Sequence, residues 1–540
     1  MAKTGRGAPK PPPAEPASPA GRTDAAAGSE APRSAWRSGL DFVKTLGGAL
    51  LIALLIKAYV ADVYVIPSGS METALHGRPD GGDRILCSKL NYFFRPPRRW
   101  EVAVFEFPYD AARLYNQPEH LEEFRGQNFV KRLVGLPGET LAIARGDIWT
   151  SSGGTRAEFK RQVKPDSVQR GMWLNVCEED FSDLSLEELA RFWRLAGDGI
   201  SLTKGGPLRL SPENGGSQLS YRPLIPSRTR PNLLEELPGI PDRYVLEQPV
   251  QYRCRGGRTG GNPCGSLFVK THQTQQLRAR CPSCGFLNDE SAAVFYHRRS
   301  GLYQEAPGRA WENPPGTASI HAPQGEDVAL RRIDYHLVPD LRVVADLILS
   351  EEKSVFCLTL REDGRQAQAR FGGDGRVEIS LNGRPSRPEA RAVAELNPGQ
   401  PHRVEFYLVE GTARIFVDSE SVCLLELPVW EDRRPAPGSL PFASGVSLSA
   451  EGGEVAVRKL VLDRDIFYYS GREKAGGERL PGLNSMGEAL IDAKSFFPMG
   501  DHCPSSFDAR SWGPISLSLL RGPTLLIWWP PERAGFLAAP

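Results

Sequence analysis

Residues 128–139 read NFVKRLVGLPGE, an alternating run that ends in a Gly/Pro turn. The run predicts a β-strand within a β-rich domain. Because successive side chains of a strand point to opposite faces, Lys131 shares a face with Phe129 and Leu133, and Arg132 points away from it. An ammonium group between apolar neighbours loses solvation, which lowers its pKa from about 10.4. The stretch therefore predicts a lysine that can act as a base, the alternative being a solvated lysine on an edge strand.

A serine in a glycine-containing turn precedes this strand. Residues 66–71 read IPSGSM. Taken alone, a serine in such a turn usually only bends the chain. A hydroxyl becomes an effective nucleophile when a base takes its proton, and a desolvated lysine can do this without histidine or aspartate. Ser70 and Lys131 are therefore candidates for a catalytic pair.

The segments around both motifs predict further short strands. They include GDRIL at 82–86, EVAVF at 101–105 and TLAIA at 140–144, separated by Gly and Pro turns. Similar strand-like sequence occurs again near the C-terminus. We expect a mainly β domain assembled from residues 61–150 and 490–540.

The N-terminal region divides into two parts. Residues 1–38 are rich in Ala, Pro, Gly and Arg without a hydrophobic period, which is typical of a disordered basic tail. Residues 39–60 contain the apolar run LDFVKTLGGALLIALLI and predict one transmembrane helix. The basic tail predicts a cytoplasmic N-terminus, with the chain from about residue 60 outside. A buried core helix and a cleaved signal peptide are the alternatives, and no Ala-x-Ala site follows the run.

The overall composition limits the partners and the redox chemistry. A chain of 540 residues predicts three or four domains, and 55 Gly with 46 Pro indicate a turn-rich fold. The net charge of +1 provides no field that would attract a nucleic acid, so nucleic acid is not an expected partner. Nine cysteines are an odd number, which excludes a fully paired disulfide framework.

Together these motifs resemble the type I signal peptidase family, membrane-anchored Ser/Lys endopeptidases that release secreted proteins from their signal peptides. The resemblance rests on the apolar span and on five blocks in order: IPSGSM, GDRIL, EVAVF, NFVKRLVGLPGE and MGDHCPSSFDARSWG at 499–513. It covers residues 40–150 and 490–530, under a third of the chain. Five ordered blocks are far more specific than any single motif.

The resemblance implies roles for the two central residues and their surroundings. Ser70 would be the nucleophile and Lys131 the general base. The oxyanion hole would consist of the backbone N–H of Ser70 and the hydroxyl of Ser68. The family uses no cofactor for catalysis. Its usual Pro-Thr-Leu after Ser-Met is replaced here by ETAL at 72–75.

The resemblance also implies supporting residues in the C-terminal block. Ser506 would fix the rotamer of the lysine, and Asp508 with Arg510 would form an ion pair near the site. At i, i+2 spacing the two charged side chains project to one side of an extended segment. The alternative is an exposed pair that contributes under about 1 kcal/mol. The family's GDNRDNS run is GDHCPSS at 500–506 in this chain, so Ser505 competes with Ser506 for its role.

Residues 249–290 hold a cluster of cysteines. Four thiolates suit tetrahedral zinc, and a CPSCG sequence is typical of a zinc-ribbon knuckle. The candidate ligands are Cys254, Cys264, Cys281 and Cys284. The wide spacing of the first pair leaves His272 as a substitute ligand. We expect a zinc-ribbon-like module with structural zinc, the alternatives being disulfides in an oxidising compartment or unrelated thiols.

The remaining inserted residues predict a second β domain. Residues 330–470 contain repeated alternating runs separated by Asp-Gly and Asn-Gly turns, which predicts an antiparallel sandwich. The strand pattern resembles concanavalin-like or laminin-G-like domains, which often bind glycans or proteins. Residues 151–248 predict a mixed segment with a helix at 185–196, and 471–489 a linker.

The sequence thus predicts a mainly β, single-pass membrane serine endopeptidase of the signal peptidase I type. Its catalytic domain would be interrupted by an insertion of about 340 residues, which is tolerable because the cost of loop closure grows only logarithmically with length. Its partners would be the lipid bilayer and exported preproteins, and its location the bacterial inner membrane with the catalytic domain on the periplasmic side.

Two alternatives remain at this point. The first is a catalytically inactive, membrane-anchored scaffold that works through the sandwich and the cysteine module. The second is a self-cleaving Ser/Lys repressor protease, against which the apolar span and the absence of a DNA-binding signature argue.

Overall fold

The structure of this chain is a computed structural model. It describes residues 35–77, 82–112, 121–152, 159–212, 216–226, 234–241, 248–256, 264–272, 278–288, 293–295, 337–362, 365–384, 388–427, 444–471, 480–503, 506–538 and 540. Most of the predicted basic tail, much of the predicted linker, and Ser505 lie outside these residues.

The N-terminal unit is one long helix. It spans Ala35–Leu55 and continues as a turn of π-helix over Ile56–Val60. Within it, Phe42–Val60 forms a stretch of 19 residues that is long and apolar enough to cross a membrane, with none of its residues buried. At 1.5 Å per residue this is about 28 Å, close to the thickness of a bilayer's hydrocarbon core.

A sheet that we call the main sheet brings the two ends of the remaining chain together. Its strands are antiparallel, and Val102–Glu106 pairs with Leu520–Trp529 on one side and with Asn128–Gly135 on the other. In spatial order they are Ala61–Val65, Arg84–Ser88, Leu520–Trp529, Val102–Glu106, Asn128–Gly135, Ser495–Met499 and Ile515–Ser516, with Gly535–Phe536 paired to Leu520–Trp529. C-terminal strands therefore lie between and beside N-terminal ones. A smaller sheet next along the chain contains Glu488–Leu490, Thr140–Ala144, Asp147–Ser151 and Lys160–Arg161.

The insertion folds around two antiparallel sheets that share one large apolar core, here called the sandwich. The first sheet contains Ile200–Leu202, Leu208–Leu210, Val455–Arg464, Leu341–Leu349, Pro401–Val409, Thr412–Val417, Glu420–Glu426 and, beside Val455–Arg464, Leu174–Asp180. The second contains Arg391–Val393, Arg376–Leu381, Arg365–Gly372, Val355–Glu362, Ser444–Glu451, Gln218–Tyr221 and Trp193–Ala196.

Two sequence predictions in this region need correction. The helix predicted at 185–196 begins with the expected Ser185 capping box but spans only Leu186–Phe192. It ends there because the fully buried Trp193 starts a strand that pairs with Gln218–Tyr221. The sandwich is also wider than 330–470, because strands from the predicted mixed segment 151–248 are hydrogen-bonded into both sheets.

The cysteine module is built from short strands. They are Gln248–Arg253, Leu267–His272 and Ala293–Phe295 in one sheet, and Ala279–Arg280 with Leu287–Asn288 in another. A separate hairpin pairs Leu224–Pro226 with Leu234–Glu236. The other helical turns are Gly69–Met71, Asn91–Phe94, Tyr109–Ala112, Glu122–Phe124, Asp166–Arg170, Phe181–Asp183, Pro388–Ala390, Ala509–Trp512, Leu517–Leu519 and Pro531–Arg533.

Candidate active site

The turn that carries Ser70 is held by its neighbours. Ser70 lies in a short 3₁₀ helix of one turn, Gly69–Met71, which directly follows Ser68 in extended conformation. The side chain of Met71 is buried in the core, and the backbone N–H of Glu72 donates to the Gly69 carbonyl at 3.1 Å. Anchoring on both sides leaves the half-buried Ser70 hydroxyl at a fixed position.

Lys131 reaches this hydroxyl from the main sheet. It lies in the middle of Asn128–Gly135, and its Nζ is 2.5 Å from Ser70 Oγ. The side chain is only 4% exposed, with its Nζ 5.6 Å from the ring centre of Phe129. The structure thus brings together the two residues that are 61 positions apart in the sequence.

The surroundings of Lys131 shift its amine toward the neutral form. Burial lowers the pKa of Lys131 to about 8, against the opposing effect of the carboxylates of Asp508 and Asp501, while the Arg510 guanidinium adds to the lowering. A neutral amine at hydrogen-bonding distance can accept the serine proton, and the resulting alkoxide can attack a carbonyl carbon. The arrangement is therefore chemically suited to acyl transfer.

Ser68 is placed next to the same hydroxyl. Its Oγ is 3.5 Å from Ser70 Oγ, and its side chain is exposed. A hydroxyl at this position is a donor that a developing oxyanion can use. The role that the resemblance implies for Ser68 is compatible with this geometry and stays a prediction.

The C-terminal block packs directly behind the serine turn. The backbone N–H of His502 donates to the Ser70 carbonyl at 3.1 Å. Gly500 lies so close that a Cβ added to it would overlap Ser506 Oγ and the Ser70 carbonyl oxygen. A glycine is therefore required at residue 500 for the block to approach the serine this closely.

Asp508 and Arg510 form a buried ion pair. Arg510 Nε donates to Asp508 Oδ1 and its Nη2 to Asp508 Oδ2, both at 2.8 Å, and both side chains are essentially inaccessible. The segment is not extended as expected, because Asp508 caps the short helix Ala509–Trp512. The pKa of Asp508 is lowered because the ion pair with Arg510 outweighs the effect of burial. The exposed alternative for this pair is wrong.

Ser506 lies beside this pair rather than on the lysine. Its hydroxyl is close enough to Asp508 to contribute to the lowered pKa of that carboxyl group. Within the described part of the chain, however, Ser506 Oγ has no partner in hydrogen-bonding geometry. No hydrogen bond therefore joins it to Lys131 among the described residues. Its proposed role of orienting the lysine stays a prediction, and its competitor Ser505 lies outside the described residues.

A second buried ion pair was missed by the sequence reasoning. Arg132, on the opposite face of the lysine strand, donates through Nε and Nη2 to Asp501 at 2.7 and 2.6 Å. Its Nη1 donates to the Trp100 carbonyl at 2.7 Å. The only sequence signal was the alternation that turned Arg132 away from Lys131, combined with an aspartate in the C-terminal block. The pair ties that block to the strand that carries the lysine.

The four cysteines of the module converge on one point. Their sulfurs all lie within 4.8 Å of one another, with Cys254 Sγ 3.4 Å from Cys284 Sγ and Cys264 Sγ 3.8 Å from Cys281 Sγ. These separations exceed the disulfide length of about 2.05 Å. They are close to the roughly 3.8 Å edge of a tetrahedron with zinc–sulfur bonds of about 2.3 Å. The Ser266 hydroxyl and N–H lower the pKa of Cys264 to about 6, whereas burial raises the pKa of Cys254 to about 12.

Comparison with known proteins supports the resemblance found in the motifs. Residues 39–178 match the family described as signal peptidase, peptidase S26. A signal peptidase I from Leptolyngbya laminosa is 35% identical over 109 residues, which cover 20% of this chain and 48% of that protein. The signal peptidase I of Mycobacterium tuberculosis strain H37Rv is 34% identical over 134 residues, 22% of this chain and 46% of that protein. The predicted resemblance to type I signal peptidases is thereby confirmed.

The extent of these matches is limited. A probable signal peptidase I-1 from Synechocystis is 32% identical over 126 residues and is covered over 59% of its length. The chain thus spans about half the length of the curated relatives it matches. The family match ends at residue 178, within the first strand of the sandwich along the chain, and does not include the C-terminal block.

Among solved structures, a galectin from Caenorhabditis elegans matches 23% of this chain and 83% of its own length. The sequence identity is 18% and the TM-score 0.18. At this score no argument about fold or ligand rests on the match.

Proposed function

We propose that this chain is a membrane-bound signal peptidase I, a serine endopeptidase that cleaves N-terminal signal peptides from exported preproteins. One observation carries the proposal: a buried amine, with its pKa lowered to about 8, lies 2.5 Å from a serine hydroxyl. That serine and lysine lie within the residues that match the signal peptidase family.

In the proposed mechanism Ser70 Oγ attacks the carbonyl carbon of the scissile peptide bond while Lys131 Nζ takes its proton. The oxyanion of the tetrahedral intermediate accepts hydrogen bonds from Ser68 Oγ and the backbone N–H of Ser70. Lys131 then gives its proton to the leaving amine, and water, activated by the same lysine, hydrolyses the acyl-enzyme. No cofactor is required.

The direct test uses the purified full chain in detergent with a preprotein substrate. Wild type should release the signal peptide, and Ser70→Ala should abolish release because no oxygen remains to form the acyl-enzyme. A Ser518→Ala variant, which removes an exposed serine far along the chain, should cleave at the wild-type rate. Cleavage that persists in Ser70→Ala would eliminate the mechanism. No cleavage by wild type would favour the inactive scaffold instead.

The membrane topology is a separate proposal. We infer that the helix containing Phe42–Val60 anchors the chain in the bacterial inner membrane, with the N-terminus in the cytoplasm and the peptidase region in the periplasm. Its length and apolar composition support this. Protease added to spheroplasts should degrade the part that follows the helix. Full protection of that part in intact spheroplasts, with degradation after lysis, would reverse the orientation.

For the cysteine module we propose a zinc-ribbon-like structure that holds one structural zinc ion. Cys254, Cys264, Cys281 and Cys284 would be its ligands, supported by their spacing within 4.8 Å. Elemental analysis of the purified chain should give one zinc per molecule, and Cys281→Ser should lose it. Cys423→Ser, which removes a cysteine of the sandwich, is the matched control. A metal-free module without titratable thiols would establish the disulfide alternative.

For the sandwich we propose a concanavalin-like or laminin-G-like architecture that binds a glycan or a protein. A groove of about 490 Å³ on its first sheet is the supporting feature. Its lining includes acidic and basic side chains, among them Asp346, Arg403 and Lys459, and the residues that line it include no Phe, Tyr or Trp. A ligand here would be recognised by charge and hydrogen bonding. Retention of wild type on a glycan array, lost in Arg403→Ala, would support a glycan, whereas unchanged retention would place the ligand elsewhere.

A further inference from the structure

The segment that leaves the sandwich toward the main sheet is unusually well buried for a connection. Residues 465–470, DIFYYS, follow the sandwich strand Val455–Arg464, and each of them is at most 4% exposed. We call this segment the strap. A buried segment transmits strain between the parts it joins, because close-packed side chains leave it no room to adjust independently.

The far end of the strap holds the Asp508–Arg510 ion pair. The Arg510 guanidinium lies 4.8 Å from the ring centre of Tyr469 and donates to the Tyr469 carbonyl at 3.4 Å. Arg510 also donates to Cys503 Sγ at 2.8 Å, and the N–H of Tyr469 donates to the same sulfur at 3.4 Å. The strap therefore supplies one wall of the pocket that fixes Arg510.

The near end of the strap is fixed by a buried lysine. Lys164 Nζ pairs with Asp465 Oδ2 at 2.8 Å and with the carboxylate of Glu410, which lies in the turn between two sandwich strands. Glu410 also accepts from the backbone N–H of Lys164 at 2.7 Å. All three side chains are buried, so breaking one contact leaves an uncompensated charge.

Lys164 also contacts Trp100, which binds the second ion pair near the site, Arg132–Asp501. Lys164 Nζ is 5.4 Å from the ring centre of Trp100, and the Trp100 carbonyl accepts the hydrogen bond from Arg132. Arg132 in turn holds Asp501. Both ion pairs that flank the Ser70–Lys131 pair are thus connected to the sandwich through buried contacts.

We propose that the inserted sandwich is a working part of the active site, with Tyr469 and Glu410 as positioning residues that fix the charges around Lys131. This inference rests on the proposed peptidase function. It distinguishes the insertion from a passive surface addition, which would leave the chemistry at the serine unaffected.

The charges that face Lys131 give the inference a specific readout. Asp501, Asp508 and Arg510, all from the C-terminal block, act on its amine, and Arg510 is the one that lowers its pKa. If Arg510 is released from the strap, its effect weakens while the two carboxylates remain, so the pKa of Lys131 rises. The acid limb of the kcat/KM profile should then move to higher pH.

The experiment compares Tyr469→Leu with Tyr469→Phe in the full chain. Tyr469→Leu removes the ring from the guanidinium, so we expect the acid limb to rise by about one pH unit and kcat to fall about tenfold at neutral pH, with KM unchanged. Tyr469→Phe keeps the ring, so the acid limb of its kcat/KM profile should lie at the wild-type position. An unmoved limb in Tyr469→Leu, with only a lower active fraction, would overturn the inference.

A second variant covers the case in which Tyr469→Leu does not fold. Glu410→Gln keeps the shape of the side chain and an acceptor for Lys164, and it should shift the limb in the same direction by a smaller amount. Arg209→Met, which breaks an exposed sandwich ion pair with Glu454, is the control and should leave the profile unchanged. An unshifted Glu410→Gln profile would count against the inference. A wild-type chain without cleavage would overturn the proposed function itself, whereas active wild type with unshifted variants would overturn only the positioning role.

Discussion

Two buried lysines in this chain have pKa values shifted in opposite directions. Lys131 contacts a serine hydroxyl in the main sheet, and burial lowers its pKa to about 8. Lys164 contacts the carboxylates of Glu410 and Asp465 at the edge of the sandwich, and its pKa is raised well above 10.5 although burial acts in the opposite direction. Burial alone therefore does not determine what a lysine does.

The difference comes from the distance to the nearest carboxylate. Desolvation penalises the ammonium group at both sites, but a carboxylate in direct contact more than offsets this penalty. At Lys131 the two nearby carboxylates are each occupied by an arginine, Asp501 by Arg132 and Asp508 by Arg510. The arginines thus prevent the acids from holding the proton on Lys131. The pKa of one lysine is therefore lowered and that of the other is raised.

The largest effect should come from replacing Lys131, the proposed base. Lys131→Met is expected to lower kcat/KM for a preprotein about 10⁴-fold, because the serine loses its proton acceptor. The free energy of unfolding should not fall, since methionine fills the volume without a desolvated amine. Cleavage assays and urea unfolding of the same preparation measure both. Activity within a factor of ten of wild type would refute the assigned role.

Removing the other lysine should have the opposite outcome on stability. Lys164→Met leaves Glu410 and Asp465 as unpaired buried carboxylates and should lower the free energy of unfolding by about 3–5 kcal/mol. Urea unfolding of the full chain in detergent measures the change. Lys353→Met, which removes an exposed lysine paired with Glu351, should cost less than about 1 kcal/mol. Equal losses in the two variants would contradict the comparison.

A steric change next to the serine should have an intermediate effect. In Gly500→Ala the new methyl group overlaps the Ser70 carbonyl and Ser506 Oγ, so the serine turn must move. A displacement of this kind should lower kcat/KM about 10²-fold. Gly445→Ala, where the methyl group meets only open space, should retain wild-type activity. A fully active Gly500→Ala would show that the C-terminal block does not hold the serine in place.

The pH dependence of the unmodified chain also separates the two lysines. With a pKa of about 8, Lys131 is protonated at lower pH, so kcat/KM should fall tenfold for each pH unit below 8 and level off above it. Lys164 stays charged throughout this range and should add no second limb. A profile of kcat/KM from pH 5.5 to 9.5 tests this. A midpoint near pH 6 would indicate a different base.

Local patterns were sufficient for much of the candidate site. The alternation in 128–139 correctly placed Lys131 on a strand beside Phe129, because side-chain direction in a strand depends only on position along the chain. The cysteine spacing likewise indicated the cluster. The ion pair between Arg132 and Asp501 was missed because its partners are 369 positions apart, and nothing in either local sequence specifies the other.

The outline of the insertion was predicted less well for the same reason. Strands at 174–180 and 208–210 join the sandwich by pairing with Val455–Arg464, across more than two hundred residues. Short strands of this kind carry little local signal of their own. The helix at 185–192 was found from its capping box, but its end depended on the strand pairing of Trp193.

The sequence by itself determined which groups are present and in what order: a serine turn, a lysine between apolar neighbours, an apolar helix and four cysteines. Such features depend on residue type and on periods of two or four residues. Only the tertiary structure decided that the pKa of this lysine is lowered while that of Lys164 is raised. The charge of a buried amine is set by the carboxylates and arginines that distant segments bring within a few ångströms, and that arrangement exists only after folding.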